Sequence, residues 1–256
     1  MKRVLTALLL IPFFLYVVLW APLWAFLLTV AAVAVMCFRE YSDLTALHGI
    51  AKPGLVGYGA GLLLLFVPGR YGAVVVLIAL LAMSLALRVR EMSQALPDAG
   101  ALLLGVVYVF GSLRCAIELR AMSPYWLFFA LSLNWAGDIA ALYAGRTFGR
   151  HKLAPEVSPG KSWEGSIAST AASVLYGAFY FSWLLKTAPL AGALGLTVIA
   201  NVAGQFGDLC ESSLKRGAGV KDSGTLLPGH GGWLDRVDSS LFALPVIYFM
   251  VSQLGW

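Results

Sequence analysis

Long apolar stretches separated by short polar breaks follow one another along almost the whole chain. Several are close to the length of about 20 residues that a transmembrane helix needs. The pattern predicts an all-α polytopic membrane protein with about nine transmembrane helices. We place these spans at residues 4–20, 22–38, 54–68, 71–87, 101–119, 124–145, 164–185, 188–206 and 239–255.

Composition supports lipid as the natural solvent of this chain. Its residues are 60% hydrophobic and 12% charged, whereas a soluble domain carries about 25% charged residues. We expect residues 1–256 to form a single integral membrane domain. Residues 1–120 would supply N-terminal membrane helices, and residues 121–256 would supply catalytic helices with cytoplasmic loops at 146–163 and 207–238.

The distribution of basic residues predicts the orientation. With the N-terminus in the cytoplasm, all 18 lysines and arginines fall on the cytoplasmic side except Arg70, Arg114, Arg120 and Lys186. Cytoplasmic loops of membrane proteins are enriched in these residues, so we expect a cytoplasmic N-terminus and an outside C-terminus. The same rule accounts for the net charge of +5 without a nucleic-acid partner.

A glycine pair suggests close helix packing near the N-terminal end. Gly57 and Gly61 have the GxxxG spacing, which lets two helices approach closely. We expect them to pack within the chain, and a homodimer interface is the alternative.

Charge is concentrated in residues 207–238, which hold nine charged residues and His230. Asp208, Glu211, Ser212 and Lys215 follow the i, i+3, i+4, i+7 spacing, so they would share one face of a helix that extends the eighth span. Asp235 and Asp238 are three residues apart at the mouth of the ninth span. Carboxylates completed by water and phosphate oxygens are typical Mg²⁺ ligands.

Glycines between these two helices favour phosphate binding, because backbone N–H groups without a neighbouring Cβ can approach phosphate oxygens. The basic residues of the segment could neutralise the phosphate charge: Lys215, Arg216, Lys221 and Arg236. The alternative is a cytoplasmic cap in which the carboxylates form salt bridges with these same cations.

A second polar cluster occupies residues 134–164. Asp138 falls inside or at the end of the sixth span, where an ionisable residue suggests function. A helix–helix hydrogen bond or a pair with a loop arginine is the alternative. Lys161 is a candidate phosphate contact. By contrast, Glu40 directly follows Arg39, and we expect a local ion pair there.

One long segment resembles the signature of the phosphatidate cytidylyltransferases, also called CDP-diglyceride synthases. It reads Ser212-x-Leu214-Lys215-Arg216-x4-Lys221-Asp222-x-Gly224-x2-Leu227-Pro228-Gly229-His230-Gly231-Gly232-x-Leu234-Asp235-Arg236-x-Asp238. Two shorter stretches also resemble this family: Gln205, Gly207-Asp208-Leu209 and Glu211 before it, and Gly145-Arg146, Phe148-Gly149, Ser158-Pro159, Lys161 and Trp163-Glu164-Gly165. Family members usually read SPKKTWEG where this chain has Gly160 and Ser162, and a tyrosine where it has Leu142.

The resemblance implies the reaction of CTP with phosphatidate to give CDP-diacylglycerol and pyrophosphate, with Mg²⁺ and a monovalent cation such as K⁺ beside it. Asp208 and Asp235 are the expected metal ligands, and Lys215, Arg216, His230 and Asp238 the other expected catalytic residues. The expected substrate-binding residues are Asp138, Arg146, Ser158, Lys161, Ser212, Lys221, Asp222, Gly231, Gly232 and Arg236. The expected location is the bacterial inner membrane, with the site facing the cytoplasm.

Two other functions remain open at this point. A CTP-dependent lipid kinase would also need a metal and a basic loop, but it would release CDP instead of pyrophosphate. An ion or solute transporter would use Asp138 and Asp208 as ion ligands. Transporters usually place such residues near the middle of the membrane, whereas most of the charge here is predicted at cytoplasmic helix ends.

Overall fold

The computed structural model describes residues 12–69, 71–89, 91–186, 188–226 and 231–256. Helices dominate these residues, as the apolar stretches predict. Residues 12–19 are helical (α1). The other helices are α2 (Leu23–Leu47), α3 (Gly54–Phe66), α4 (Gly72–Ala86), α5 (Ala95–Gly105), α6 (Ser112–Met122), α7 (Pro124–Phe148), α8 (Trp163–Trp183), α9 (Leu190–Gly217) and α10 (Leu234–Leu254).

Three further elements complete the described fold. A short 3₁₀ helix, Met92–Gln94, precedes α5. A π-helical segment, Val106–Gly111, joins α5 to α6. Between α7 and α8 lies a short antiparallel hairpin of β1 (Lys152–Ala154) and β2 (Ser158–Ser162), in the loop predicted at 146–163. The sequence did not predict this hairpin.

The chain is an integral membrane protein by the length and apolarity of its helices. Within the described ranges, five helical stretches are long and apolar enough to cross a membrane. They are Leu23–Leu47, Met92–Met122, Pro124–Phe148, Leu190–Gly217 and Leu234–Leu254; Gly54–Phe66 and Gly72–Ala86 are shorter apolar helices. The expected number of nine spans and their orientation stay predictions.

The chain forms two compact units. The first contains Pro22–Ile117 and Leu214–Arg236, and the second contains residues 12–21, Glu118–Ser213 and Val237–Trp256. The predicted loop at 146–163 lies in the second unit, whereas the residues of the 207–238 segment are divided between the two units.

Aromatic packing builds the core of the first unit. Phe38 of α2 contacts Tyr58 of α3 and Phe110 of the π-helical segment, with ring centroids 5.0 and 5.2 Å apart. A Cβ on Gly57 would lie 2.6 Å from Phe38, and one on Gly61 would clash with Phe110. The GxxxG pair thus packs against aromatic rings of its own chain, which confirms the intrachain interpretation.

Small and polar residues fill the helix contacts of the second unit, where α7 packs on α8. A Cβ on Gly137 of α7 would lie 2.6 Å from Ser169 Oγ and 2.7 Å from Asn201 Nδ2. Asn201 donates to Ser169 Oγ over 3.1 Å, and Gln205 Nε2 donates to Asn201 Oδ1 over 2.7 Å. The Asn201–Ser169 bond joins α9 to α8, and the Gln205–Asn201 bond lies within α9. Both satisfy polar groups that apolar surroundings would otherwise penalise.

Candidate functional site

The hairpin of the second unit is tied to the beginning of α8. The Ser162 hydroxyl accepts a hydrogen bond from Gly165 N at 3.1 Å, so Ser162 is the N-cap of the helix. Gly149, after the end of α7, would place a Cβ 2.8 Å from Ser162 Oγ. Glu164 in the first turn accepts from His151 N, and its carboxylate lies 2.6 Å from His151 Nδ1. These contacts fix the direction in which β2 enters α8.

Lys161, next to that N-cap, pairs with the first predicted metal ligand. Its Nζ lies 2.6 Å from Asp208 Oδ2 on α9, with 26% and 33% of the two side chains exposed. Ser212 Oγ donates to Asp208 Oδ1 over 3.3 Å. The electrostatic surroundings of Asp138 on α7 include both the Asp208 carboxylate and the Lys161 ammonium. Four residues predicted from the sequence therefore lie in one cluster.

Asp238 joins the same unit from α10. A Cβ on Gly207 would lie 2.7 Å from the Asp238 carbonyl oxygen and 3.0 Å from Phe242, so α9 and α10 are in backbone contact one residue before Asp208. The Asp238 carboxylate accepts from Ser239 N over 2.7 Å. The second unit thus brings the carboxylates of Asp138 on α7 and Asp208 on α9 around Lys161 of the hairpin, and Asp238 lies on α10, which contacts α9 one residue before Asp208.

Asp235 is the centre of the polar cluster in the first unit. Its Oδ1 accepts from Lys215 Nζ over 2.5 Å, and only 5% of its side chain is exposed. Its Oδ2 accepts from Gly232 N at 2.7 Å, Ser223 N at 2.9 Å and Ser223 Oγ at 3.0 Å. Gly231, with φ of +78°, would bring a Cβ within 2.7 Å of the same oxygen. Asp235 therefore binds Ser223 and Gly232 to the first turn of α10.

Glu40 lies in this cluster as well, and the ion pair expected with Arg39 is wrong. Its Oε1 accepts from Trp233 N at 3.0 Å, and its Oε2 accepts from Leu234 N at 2.8 Å and Ser223 Oγ at 2.9 Å. The residue is 2% exposed. A buried carboxylate requires such donors, which the loop and the start of α10 supply here.

The other predicted site residues have more open positions. Arg216 donates to the Val220 carbonyl over 3.3 Å at the exposed end of α9. Lys221, Asp222 and Arg236 are exposed, and so is Arg146 in the last turn of α7. Ser158 begins β2 opposite Ala154. His230 lies outside the described residues.

Comparison with known proteins decides the family. The model of the cytidylyltransferase family matches residues 1–254. A phosphatidate cytidylyltransferase of Bacillus subtilis is 33% identical over 98% of this chain and 97% of its own length. Enzymes of the same name from Staphylococcus aureus and Staphylococcus saprophyticus are also 33% identical, and the match covers 98% of this chain in both. The chain belongs to the cytidylyltransferase family. It is a nucleotidyltransferase.

The two expected metal ligands of this cytidylyltransferase, Asp208 and Asp235, differ in how well they fit Mg²⁺. Among the described residues, no group of three or more His, Cys, Asp or Glu side chains could hold a metal. Mg²⁺ needs fewer protein ligands, since one or two carboxylates with waters and phosphates suffice. Asp208 is one-third exposed and fits that role. Asp235 is nearly buried, and three donors already bind its Oδ2.

Glu40 is one residue of the Asp235 cluster that sequence reasoning assigned to a different partner. A signal was available, because Glu40 lies three residues after Cys37 and four before Leu44, on the buried face of α2. A carboxylate on such a face needs partners from another part of the chain. The adjacent Arg39 led the sequence analysis to an ion pair with the nearest cation instead of distant partners.

Proposed function

We propose that this cytidylyltransferase transfers CMP from CTP to phosphatidate, giving CDP-diacylglycerol and pyrophosphate in phospholipid biosynthesis. The observation that carries the proposal is the 33% identity, over 98% of the chain, with enzymes named phosphatidate cytidylyltransferase. The polar cluster around Lys161 and Asp208 supports it, because it offers a partly exposed cation for a substrate phosphate and a partly exposed carboxylate for a metal ion.

The chemistry needs charge neutralisation more than a strong base. A phosphate monoester is mostly ionised near neutral pH, because its second pKa is about 6. Attack on the α-phosphorus of CTP must bring two anions together in line, and cations make this approach favourable. Lys161 is a partly exposed ammonium at the end of the hairpin, so it is our candidate to bind a substrate phosphate. Lys215 is largely buried against Asp235, and its role is to hold the loop.

We further propose that the reaction uses Mg²⁺, with Asp208 and Asp235 as the candidate ligands. When bound, the ion would offset the phosphate charge and polarise the reacting phosphoryl group. The resemblance implies both ligands. The partial exposure of the Asp208 carboxylate supports Asp208 as a ligand. A monovalent cation such as K⁺ is implied by the resemblance alone.

The membrane arrangement that we propose has nine spans, a cytoplasmic N-terminus and a site facing the cytoplasm of the bacterial inner membrane. The lysine and arginine distribution supports this orientation. It would admit CTP from the cytoplasm, while phosphatidate remains in the lipid with its phosphate at the interface.

One assay tests the reaction. Protein purified in detergent is incubated with phosphatidate, Mg²⁺ and CTP labelled either at the α- or at the γ-phosphate. We expect phosphatidate-dependent transfer of the α-label to the organic phase and release of the γ-label as pyrophosphate. A γ-label in the lipid with an aqueous α-label would instead establish a lipid kinase. No lipid product, together with solute uptake into proteoliposomes, would establish a transporter.

A further inference from the structure

Glu40 is a buried carboxylate that contacts the loop from a distant part of the chain. It lies on α2, and its three hydrogen-bond donors are almost 200 residues further along the chain: Ser223 Oγ, Trp233 N and Leu234 N, at 2.9, 3.0 and 2.8 Å. Glu40 is only 2% exposed. The charge therefore acts on the loop and on the start of α10, and not on solvent.

The contacts fix the point at which the loop becomes α10. The first N–H groups of a helix have no partner within the helix, and a negative charge close to them is stabilised. Glu40 meets both conditions, since it accepts from the two backbone N–H groups at the start of α10. Glycines let it come this close: a Cβ on Gly224 would lie 2.7 Å from Glu40 Oε1, and one on Gly232 would clash with Oε2.

Glu40 reaches Asp235 through Ser223. The Ser223 hydroxyl lies 2.9 Å from Glu40 Oε2 and 3.0 Å from Asp235 Oδ2. A hydroxyl has one proton to donate, so the two carboxylates share it. Ser223 N and Gly232 N also donate to Asp235 Oδ2. Moving the loop away from Glu40 would therefore change the position of the Asp235 carboxylate and of the Lys215 ammonium bound to it.

The other end of the loop is held by the same helix region. His48, directly after α2, places Nε2 2.9 Å from the Leu214 carbonyl oxygen in the last turns of α9. A Cβ on Gly217 would lie 2.5 Å from the His48 ring. The end of α9 and residues 223–224 and 232–234 are thus both held from the α2 region, and Glu40 supplies the buried charge.

We propose that Glu40 is a positioning residue for nucleotidyl transfer, which fixes residues 223–224 and 232–234 and thereby orients Asp235 and Lys215. This inference rests on the proposed function. Glu40 acts through the loop, so its loss should lower kcat much more than it raises KM for CTP. An anchor that served stability alone would instead change the melting temperature and leave the kcat of the folded protein unchanged.

The test compares Glu40→Gln with Asp43→Asn. Glutamine keeps the size of the side chain, but it removes the charge and turns an NH₂ group toward backbone donors. Asp43 is on the same helix, half exposed, and paired with Lys52 at 2.6 Å, so its variant controls for loss of a carboxylate. Assayed well below both melting temperatures, Glu40→Gln should lose about a hundredfold in kcat, since small misplacements cost that much. Asp43→Asn should behave as wild type.

A second variant separates positioning from general destabilisation. Ser223→Ala removes only the shared hydroxyl, so it should fold even if Glu40→Gln does not, and kcat should fall by about tenfold. If both act through one network, the double variant should lose less than the product of the two single losses. Independent, multiplying losses would overturn the proposal, and so would a Glu40→Gln variant with the kcat of Asp43→Asn.

Trypsin cleavage after the exposed Lys221 gives a readout that needs no activity. Cleavage should be faster in Glu40→Gln than in Asp43→Asn, because the loop has lost its anchor. If wild-type protein forms no CDP-diacylglycerol, the proposed function fails. Equal cleavage rates would then refute the anchoring by Glu40 as well, and faster cleavage in Glu40→Gln would leave it standing.

Discussion

The Lys161 ammonium lies 2.6 Å from the Asp208 carboxylate, and neither side chain is fully buried. The pair joins the hairpin to α9 across 47 residues of sequence. It brings together a lysine predicted to bind phosphate and an aspartate predicted to bind metal. Ser162, which directly follows Lys161, is the N-cap of α8, so the lysine is held next to a fixed helix end.

Lys161→Gln should raise KM for CTP by about tenfold, because a hydrogen bond from a charged group contributes about 1.5–3 kcal/mol. Lys152→Gln is the matched control, since Lys152 is an exposed lysine on β1 of the same hairpin and pairs with Ser162 through the backbone. Initial rates over a range of CTP concentrations give the KM of each variant. Equal effects of the two substitutions would refute a specific phosphate contact by Lys161.

Asp208→Asn should lower turnover by about a hundredfold or more, because it removes an electrostatic contribution to the reacting centre. The protein should still insert and fold, since the residue is partly exposed. Labelled-CTP transfer measures the loss, and a titration with Mg²⁺ should show a higher requirement in any residual activity. Full activity at ordinary Mg²⁺ concentrations would exclude Asp208 as a metal ligand.

Lys215→Met should destabilise the protein by about 3–5 kcal/mol, because it leaves the Asp235 carboxylate buried without its cation. Arg216→Met, one residue further along α9, removes an exposed cation and should change stability by only about 0.5 kcal/mol or less. Apparent melting temperatures in detergent provide the comparison. Similar values for both variants would show that the Lys215–Asp235 pair contributes little to stability.

Gly231→Ala should abolish most activity, whereas Gly219→Ala should leave most of it. Both glycines have positive φ, +78° and +73°, so each substitution costs about 1 kcal/mol of backbone strain. Only the Cβ at position 231 would meet Asp235 Oδ2, at 2.7 Å, while nothing lies within 4 Å at position 219. Thermal stability should fall in both variants, and further in Gly231→Ala, because its Cβ would meet the nearly buried Asp235 carboxylate. Loss of activity in both would mean that strain, and not the Asp235 contact, is responsible.

Apolar stretches predicted the helices well and their ends poorly. The span predicted at 22–38 is the first part of α2, which continues to Leu47, and the one at 239–255 belongs to α10, which begins at Leu234. Hydropathy marks the part of a helix that meets lipid, but backbone hydrogen bonding continues into polar sequence. The extension of α9 to Gly217 was predicted, because the spacing of Asp208, Glu211, Ser212 and Lys215 gave an independent helical signal.

The candidate site was predicted in composition but not in its contacts. Asp208, Asp235 and Lys161 were identified by charge and resemblance, and each lies in a polar cluster. Spacing along the chain could not show that Lys161 belongs with Asp208, or Lys215 with Asp235, because tertiary packing makes these pairs. The hairpin had no signal either, since Ser158-Pro159-Gly160-Lys161-Ser162 shows no alternation of apolar and polar residues.

Position 160 is open: a Cβ on this glycine of β2 would meet nothing within 4 Å. A longer side chain could therefore occupy this position without repacking of the helices. Where the family signature that this chain resembles has a lysine, this chain has a glycine and therefore one positive charge fewer at this position. Gly160→Lys would thus vary the local electrostatic potential next to Lys161 almost independently of the fold, so the position can be used to adjust how strongly the hairpin attracts an anion.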